Sequence, residues 1–288
     1  MVTLYFFTPK RYPLITSHVA KNLLEAESHK IKISLDLGIT FSEVIIDNQY
    51  IHFPDSQILN KNELKSIVNK DTEIYALINN ELIKIAMFDG KTYLKLRNVL
   101  PNTAPTLEID GIHMHRIKNI TPWEDSKLKV LSLLPLKDKK VLDICTGLGY
   151  TAIHASNFEA SKIITIEKNI SVLKIAEYNP WSWKLTDKKI NIIIGDAYKI
   201  INNLKDEYFD KIIHDPPRMK LAGELYSKEF YKELYRILKP NGVIFHYTGA
   251  PGEKRGINII KGVAERLKSI GFSVKKLYDI QGVLGIKK

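Results

Sequence analysis

Residues 141–155 constrain the fold of this 288-residue chain more than any other stretch. An apolar segment that ends near Asp143 is followed by a short loop with Gly147 and Gly149, and a helical pattern begins at Tyr150. Glycine suits such a loop because the backbone must turn sharply and let a ligand approach it without an intervening side chain. The pattern therefore predicts a strand, a nucleotide-binding loop and a helix.

Taken alone, this loop has two interpretations. The spacing Gly147-x-Gly149-x-x-Ala152 also satisfies the dinucleotide fingerprint, in the form that accepts alanine at its last position. The segments that follow help to distinguish the two, because each apolar run ends in a carboxylate. Glu167 lies 20 residues after Gly147, where an acid binds ribose hydroxyls. Asp196 ends the next run and can accept a hydrogen bond from an adenine amino group.

Four acids in this order, Asp143, Glu167, Asp196 and Asp215, resemble the strand ends of class I S-adenosylmethionine-dependent methyltransferases. The resemblance implies S-adenosyl-L-methionine as the cofactor, with Asp143 beside its methionine amino group, Glu167 on the ribose and Asp196 with Ala197 at adenine. One departure is Cys145, which stands where the family commonly has its first glycine. The predicted cofactor-binding residues are Asp143, Cys145, Thr146, Gly147, Gly149, Tyr150, Thr151, Glu167, Lys168, Asp196 and Ala197.

Length and pattern predict two domains, since 288 residues exceed the usual size of one. Residues 1–105 alternate short strands and helices, including a hairpin through Asn79 and Asn80, and we expect a small α+β domain that positions substrate. Residues 106–288 alternate strands and helices, with one helix expected over residues 221–238 and an exposed loop at Trp181–Trp183, and end in an antiparallel hairpin. This part predicts an α/β fold: the Rossmann-like, seven-stranded sheet of class I methyltransferases.

Charge divides unevenly between these two parts. Residues 1–110 carry 12 Lys+Arg and 13 Asp+Glu, whereas residues 111–288 carry 31 and 19. A polyanion such as RNA or DNA would explain the basic part, because lysines that contact phosphates release counterions. A composition bias toward lysine, isoleucine and asparagine, as in a heat-adapted proteome, would explain it equally well.

The cysteine count and the apolar segments indicate the cellular location of the protein. Cys145 is the only cysteine, so the chain has no internal disulfide, and no apolar run approaches the length of a membrane span. The first residues also lack the features of a signal peptide. We therefore expect a cytoplasmic protein without membrane contact. His113 and His115 alternate on one strand face without a third ligand nearby, so we predict no metal site.

The chemistry is expected at Asp215, Pro216 and Pro217, beyond the fourth strand of the parallel part. An exocyclic base amine is a poor nucleophile because its lone pair is delocalised into the ring. Acceptors at Asp215 and at the carbonyl of Pro216 would draw the nitrogen out of conjugation, and proline donates no competing N–H. The motif resembles the Asp/Asn-Pro-Pro-aromatic motif of amino-group methyltransferases, with Arg218 in place of the aromatic residue.

Stacking on the base must therefore come from Arg218 itself or from other side chains. The predicted substrate-binding residues are His214, Arg218, His246, Tyr247 and Trp123. The run from His214 to Arg218 also resembles an archaeal family of predicted methyltransferases. That resemblance implies one or two methyl transfers to the N4 amine of cytosine in ribosomal RNA, with RNA as the partner. The pattern does not define an oligomeric state.

Another reaction class remains as the alternative. The Ile109-Asp-Gly hairpin before the helix and first strand resembles spermidine synthases, which transfer an aminopropyl group from decarboxylated cofactor. Those enzymes hold a polycation with several acids, including one shortly after the fourth strand, where this chain has Arg218 and Lys220. This difference favours methyl transfer as the first hypothesis. Methylation of adenine N6, a protein or a small molecule is a further alternative.

Overall fold

A computed structural model of the chain describes residues 3–249 and 258–288. The chain forms two compact units. The first, which we call the eight-stranded unit, comprises Met1–Phe7, Glu124–Ile170 and Lys184–Lys288. The second, the three-sheet unit, comprises Thr8–Trp123 and Ser171–Trp183. The predicted boundary at residue 105 remains a prediction.

The first strand of the chain, β1 (Thr3–Tyr5), belongs to the eight-stranded unit, and the next elements build the three-sheet unit. They are β2 (Leu14–Thr16), α1 (Ser17–Glu25), β3 (Lys30–Ile33), β4 (Ser42–Ile46), β5 (Tyr50–His52), β6 (Ile58–Asn60), α2 (Lys61–Lys65), β7 (Ile74–Ile78), β8 (Glu81–Lys84), β9 (Ala86–Phe88), β10 (Tyr93–Arg97), β11 (Thr106–Ile109) and β12 (Ile112–His113). Their sheets have the orders β2-β7-β8, β3-β4-β5-β6 and β12-β11-β10-β9.

Local sequence explains several of these elements. Thr16 caps α1, because its side chain accepts a hydrogen bond from the backbone N–H of Val19. Asn79 and Asn80 both have positive φ, at 52° and 66°, as a two-residue turn between β7 and β8 requires. The predicted hairpin is therefore confirmed. Apolar side chains of α1 and of strands β3 to β7 form one buried core in this unit.

The remaining elements alternate strands and helices. They are α3 (Pro122–Leu131), β13 (Lys140–Ile144), α4 (Tyr150–Asn157), β14 (Lys162–Glu167), α5 (Ile170–Ala176), a 3₁₀ helix (Pro180–Thr186), β15 (Ile190–Ile194), α6 (Ala197–Ile200), a 3₁₀ turn (Ile201–Asn203), β16 (Phe209–His214), a 3₁₀ turn (Gly223–Tyr226), α7 (Lys228–Ile237), β17 (Leu238–Tyr247), α8 (Ile259–Ile270), β18 (Phe272–Leu277) and β19 (Gly282–Lys287).

The large sheet has the order β1-β15-β14-β13-β16-β17-β19-β18. Strands β13 to β17 are parallel, whereas β19 runs antiparallel to β17 and β18, and β1 antiparallel to β15. Seven of these strands give the predicted Rossmann-like α/β sheet of the methyltransferase type, and β1 adds an eighth. Isoleucine and valine fill the parallel strands because both faces are covered.

Two predicted elements differ in the structure. We expected one helix over residues 221–238, but the chain forms the turn Gly223–Tyr226 and then α7. Ser227 separates them because its side chain caps α7 by accepting from the backbone N–H of Phe230. The Trp181–Trp183 stretch, predicted as an exposed loop, forms a half-buried 3₁₀ helix.

Within the described ranges, no helix has both the length and the apolar character needed to cross a lipid bilayer.

Candidate active site

Four strand ends meet at one edge of the large sheet. Strands β13, β14, β15 and β16 are parallel neighbours, so the segments that follow them emerge on the same side. After β13 the chain continues to β14 on one side, whereas β16 pairs with β13 on the other. A crevice forms at such a switch point in open α/β sheets, and ligands bind there.

The loop after β13 has the backbone of a glycine-rich ligand loop. Gly149 has φ of 76°, and a Cβ at this position would lie 2.5 Å from the side chain of Leu185. A Cβ at Gly147 would meet no atom within 4 Å, so the backbone there is open to approach. Cys145 adopts a φ of 73° despite its side chain, a conformation that costs about 1–2 kcal/mol in a non-glycine residue. Burial raises the pKa of the Cys145 thiol, which is therefore uncharged.

Asp143 is fully buried and fixes this loop to the neighbouring strand and helix. Its carboxyl accepts hydrogen bonds from Thr151 Oγ1 at 2.8 Å and from Thr165 Oγ1 at 2.7 Å. Thr146 Oγ1 lies 2.6 Å from Thr165 Oγ1 and extends the chain of hydroxyls. Burial raises the pKa of Asp143 to about 7, because the hydroxyls only partly compensate its charge. Its predicted contact with a cofactor amino group remains a prediction.

Glu167 ends β14 and lies against the glycine loop. Its carboxylate accepts hydrogen bonds from the backbone N–H of Gly147 at 3.0 Å and of Asn169 at 2.9 Å. Burial raises its pKa, and these backbone donors oppose that shift. Each carboxylate oxygen can still accept a further hydrogen bond, so ribose hydroxyls would fit this acceptor.

Asp196 follows β15 and caps α6, whose first residue is the buried Ala197. Its carboxylate accepts from the backbone N–H of Tyr198 at 3.0 Å and pairs with Lys168 Nζ at 2.8 Å. Burial raises its pKa, but the hydrogen bonds from Lys168 and Tyr198 outweigh burial and leave the pKa below its ordinary value. Tyr150 and Thr151, the first residues of α4, are buried.

Asp215 lies directly after β16 and binds a lysine that the motif did not predict. Lys129 Nζ, on α3, is 2.7 Å from Asp215 Oδ2 and 3.1 Å from Asp125 Oδ2. The same ammonium lies 4.0 Å from the centroid of the Tyr247 ring. The side chain of Lys129 is 0% exposed and that of Asp215 is 15% exposed. Asp215 is thus a partly accessible carboxylate with a buried counter-cation.

The prolines and the neighbouring aromatic residues have definite places. Pro216 is buried, and the carbonyl of Pro217 accepts a hydrogen bond from Tyr226 Oη at 3.0 Å. The imidazoles of His214 and His246 are buried 4.3 Å apart between ring centroids.

Both imidazoles make hydrogen bonds within the chain. His214 Nε2 donates to the carbonyl of Leu225 at 3.0 Å, and Tyr231 Oη donates to His246 Nε2 at 2.8 Å. Burial lowers the pKa of His214 to about 4 and holds the pKa of His246 well below its ordinary value, so both rings are neutral. These buried positions are typical of a structural role, and their predicted contact with substrate remains a prediction.

Arg218 is exposed just beyond the prolines, whereas Tyr247 is half-buried beneath Lys129. Trp123 belongs to the three-sheet unit and packs against Trp181, with ring centroids 5.1 Å apart. The indole N–H of Trp181 donates to the carbonyl of Leu37. That contact explains why the tryptophan stretch is not an exposed loop.

Sequence reasoning missed Asp125 and Lys129. One signal was present: both fall on the helix face that also carries the buried residues Ser126 and Val130, and an acid and a lysine four residues apart face each other. The partner Asp215 is 86 residues away, so the pattern could not reveal the bridge.

The comparisons with known proteins bear on this site. Residues 138–280 match the spermine/spermidine synthase domain. An uncharacterized protein, MJ1233, of Methanocaldococcus jannaschii is 44% identical over 279 residues, which cover 95% of each chain. A polyamine aminopropyltransferase of Clostridioides difficile is 29% identical over 199 residues, 67% of this chain and 70% of that protein.

Among solved structures, spermidine synthase in complex with the transition-state analogue AdoDATO superposes with a TM-score of 0.58 at 21% identity. The superposition covers 74% of this chain and 79% of that one. At this identity the likeness concerns the fold. The fold defines an α/β protein of the Rossmann-like, methyltransferase type. Within that class, the chain belongs to the same family as the Methanocaldococcus protein.

These findings correct several predictions. RNA methylation at cytosine N4, the assignment as a methyltransferase, S-adenosyl-L-methionine as methyl donor and RNA as partner are all wrong, because the domain match and the aminopropyltransferase relatives favour the alternative. The other methyltransferase alternatives are wrong for the same reason. The physical cause of the error is that acids at strand ends bind an adenosyl group whichever part of the donor is transferred.

Proposed function

We propose that this chain is an aminopropyltransferase that moves the aminopropyl group of decarboxylated S-adenosylmethionine to an amine acceptor. The observation that carries the proposal is the spermine/spermidine synthase domain match, which spans residues 138–280 and includes all four strand-end acids. The 29% identity to a polyamine aminopropyltransferase over most of the chain supports it.

The site has the parts that an adenosine-bearing donor needs. Gly147 offers an open backbone, Glu167 has acceptor capacity beside it, and Asp196 lies at the end of the next strand. We assign donor binding to these three residues. The other residues predicted for the cofactor, including Lys168 and Ala197, remain candidates for the same role.

A donor without a carboxylate suits the electrostatics of this edge. Asp125 and Asp215 are two acids beside one lysine, Lys129. A carboxylate brought to 4 Å from one of them would meet a repulsion of about 4 kcal/mol at an effective dielectric of 20. The decarboxylated donor keeps its positive charges and avoids this repulsion.

Asp215 is suited to bind the acceptor amine and to accept its proton. Aminopropyl transfer forms a carbon–nitrogen bond while a carbon–sulfur bond breaks, the bonding electrons leave with sulfur, and the nitrogen gives up a proton. Asp215 Oδ2 binds Lys129, which leaves Oδ1 to accept a hydrogen bond or the proton from nitrogen. Lys129 holds this carboxylate in one orientation.

The proposal is tested by offering both donors to the purified chain. Decarboxylated S-adenosylmethionine is mixed with 1,3-diaminopropane, putrescine, spermidine or agmatine, and S-adenosylmethionine is mixed with the same acceptors. We expect 5′-methylthioadenosine and a lengthened amine, seen by chromatography and mass spectrometry, from the decarboxylated donor alone. Methyl transfer from S-adenosylmethionine, without turnover of the decarboxylated donor, would contradict the proposal.

A further inference from the structure

The surroundings of Lys129 Nζ have the composition of a complete binding site for an ammonium group. Two carboxylate oxygens lie within hydrogen-bond distance, at 2.7 Å on Asp215 and 3.1 Å on Asp125. The ring of Tyr247 supplies an aromatic face at 4.0 Å. Carboxylates and aromatic faces are the groups with which proteins bind alkylammonium ions.

This site is filled by the chain itself. The side chains of Lys129 and Asp125 are 0% exposed, so the ammonium is held away from solvent. Burial acts to lower the pKa of Lys129, but the charges of Asp215 and Asp125 outweigh it and raise the pKa above its ordinary value. Lys129 is therefore a permanent cation in the site.

Occupation by Lys129 limits what can bind at Asp215. Its Oδ2 is engaged, whereas Oδ1 has no hydrogen-bond partner within residues 3–249 and 258–288, and the side chain is 15% exposed. A second ammonium placed at Asp125 would have to displace Lys129. Beyond the prolines, the exposed Arg218 and Lys220 add further positive charge.

We propose that Lys129 is a positioning and specificity residue that acts as a built-in ammonium ion. It occupies the amine site formed by Asp125, Asp215 and Tyr247, and leaves Oδ1 of Asp215 for a single attacking nitrogen. Acceptors that need a second ammonium bound at Asp125 are thereby excluded. The part of this inference that concerns acceptors rests on the proposed function; the occupied ammonium site does not.

Chemical rescue tests the occupied site directly. Lys129→Ala should lower turnover by about tenfold or more, because Asp215 loses its fixed partner. Methyl-, ethyl- or propylammonium chloride should bind in place of the lost side chain, raise the melting temperature and restore roughly half of the lost rate or more. Lys127→Ala, an exposed lysine on the same helix, is the matched control, and tetramethylammonium controls for ionic strength.

A titration gives a readout that does not depend on the reaction. The ¹³C shift of the Asp215 carboxyl, assigned by comparison with Asp215→Asn, is followed against pH. Removal of Lys129 takes away the cation that lowers the pKa of Asp215, so the midpoint should move to higher pH in Lys129→Ala and return in Lys129→Arg. The other titratable groups near Asp215 are Asp125, Asp143, Cys145, Tyr226 and Tyr247. None of these residues is substituted in the Lys129 variants.

Acceptor choice is the third readout. Lys129→Ala should gain affinity for putrescine relative to the wild type, measured by calorimetry, by about tenfold. If Lys129→Ala does not fold, Asp125→Asn/Lys129→Ala removes one of the uncompensated carboxylates and is tested in the same way.

Two outcomes would overturn the inference. One is that alkylammonium ions stabilise Lys129→Ala no more than they stabilise the Lys127→Ala control. The other is an Asp215 midpoint that does not move. A different result is a chain that transfers no aminopropyl group, although alkylammonium ions still raise the melting temperature of Lys129→Ala and the Asp215 titration midpoint still moves. That result would contradict the proposed function and support the occupied ammonium site.

Discussion

Asp143 and Asp215 lie at the ends of neighbouring strands, and burial affects them differently because their partners differ. Asp143 accepts hydrogen bonds from two threonine hydroxyls, which carry no charge, and its pKa rises to about 7. Burial also raises the pKa of Asp215, but the ammonium of Lys129 opposes the rise. The comparison teaches that the charge of a strand-end acid is set by its partners and not by its motif.

The two carboxyl groups are accordingly suited to different tasks. Asp143 joins strand, loop and helix through hydroxyls, so it shapes the glycine loop. Asp215 has one oxygen without a hydrogen-bond partner among the described residues, and it has a counter-cation, so it can accept a proton from a nucleophile. We expect substitution of Asp215 to affect the reaction most and substitution of Asp143 to affect mainly stability.

The largest expected effect is that of Asp215→Asn on turnover. The amide keeps the size of the side chain but is a far weaker proton acceptor, so kcat should fall by about 10²–10⁴, the usual contribution of a general base. Donor affinity, measured by calorimetry, should change little. Asp210→Asn, on the strand that leads to Asp215 and paired with Lys239, is the control that should keep its turnover. Equal losses in both variants would show that the two aspartates do not differ as described.

The next effect concerns Asp143 and pH. Because the folded-state pKa is about 7 and the ordinary value is 3.8, the folded protein binds a proton at Asp143 more tightly than the unfolded chain does. Its contribution to stability is therefore present below pH 4 and is lost as pH rises to 7, by up to about 4 kcal/mol.

Asp143→Asn removes this titration, so its free energy of unfolding should depend less steeply on pH between 4 and 7. Guanidinium unfolding of both proteins at several pH values measures the difference. Parallel curves for wild type and variant would mean that Asp143 is ionised in the folded protein with an ordinary pKa.

The smallest expected effect is that of Glu167→Ala on donor binding. Loss of a charge-assisted hydrogen bond should weaken the affinity for decarboxylated S-adenosylmethionine by about 1.5–3 kcal/mol. Calorimetry measures it, and Glu265→Ala, an exposed glutamate of α8, is the control. An affinity unchanged by Glu167→Ala would place the ribose elsewhere and leave the donor side of the site without its main acceptor.

The sequence predicted the fold well because the pattern is local. Each of the parallel strands β13 to β16 is an apolar run with an acid at or just after its end, and the closing hairpin is a short-range feature, so most of the sheet could be placed from spacing. One exception was the helix over residues 221–238, where one capping serine, Ser227, separates two elements.

The chemistry of the site was harder to predict because it depends on distant contacts. Asp215-Pro-Pro favours amine chemistry in general, and it does not specify which group is transferred or to which amine. The Lys129 bridge joins residues 86 positions apart, and its effect on charge is visible only once the helix is packed against the sheet.

β1 has a practical consequence for dividing the chain. Residues 3–5 pair with residues 192–194 of β15, which are three consecutive isoleucines. An unpaired strand edge of this composition is a template for intermolecular pairing. Cutting the chain at the predicted boundary after residue 105 would expose that edge in the larger fragment and favour aggregation. A fragment intended for study on its own should therefore retain residues 3–5, for example by fusing them through a short glycine-serine tether.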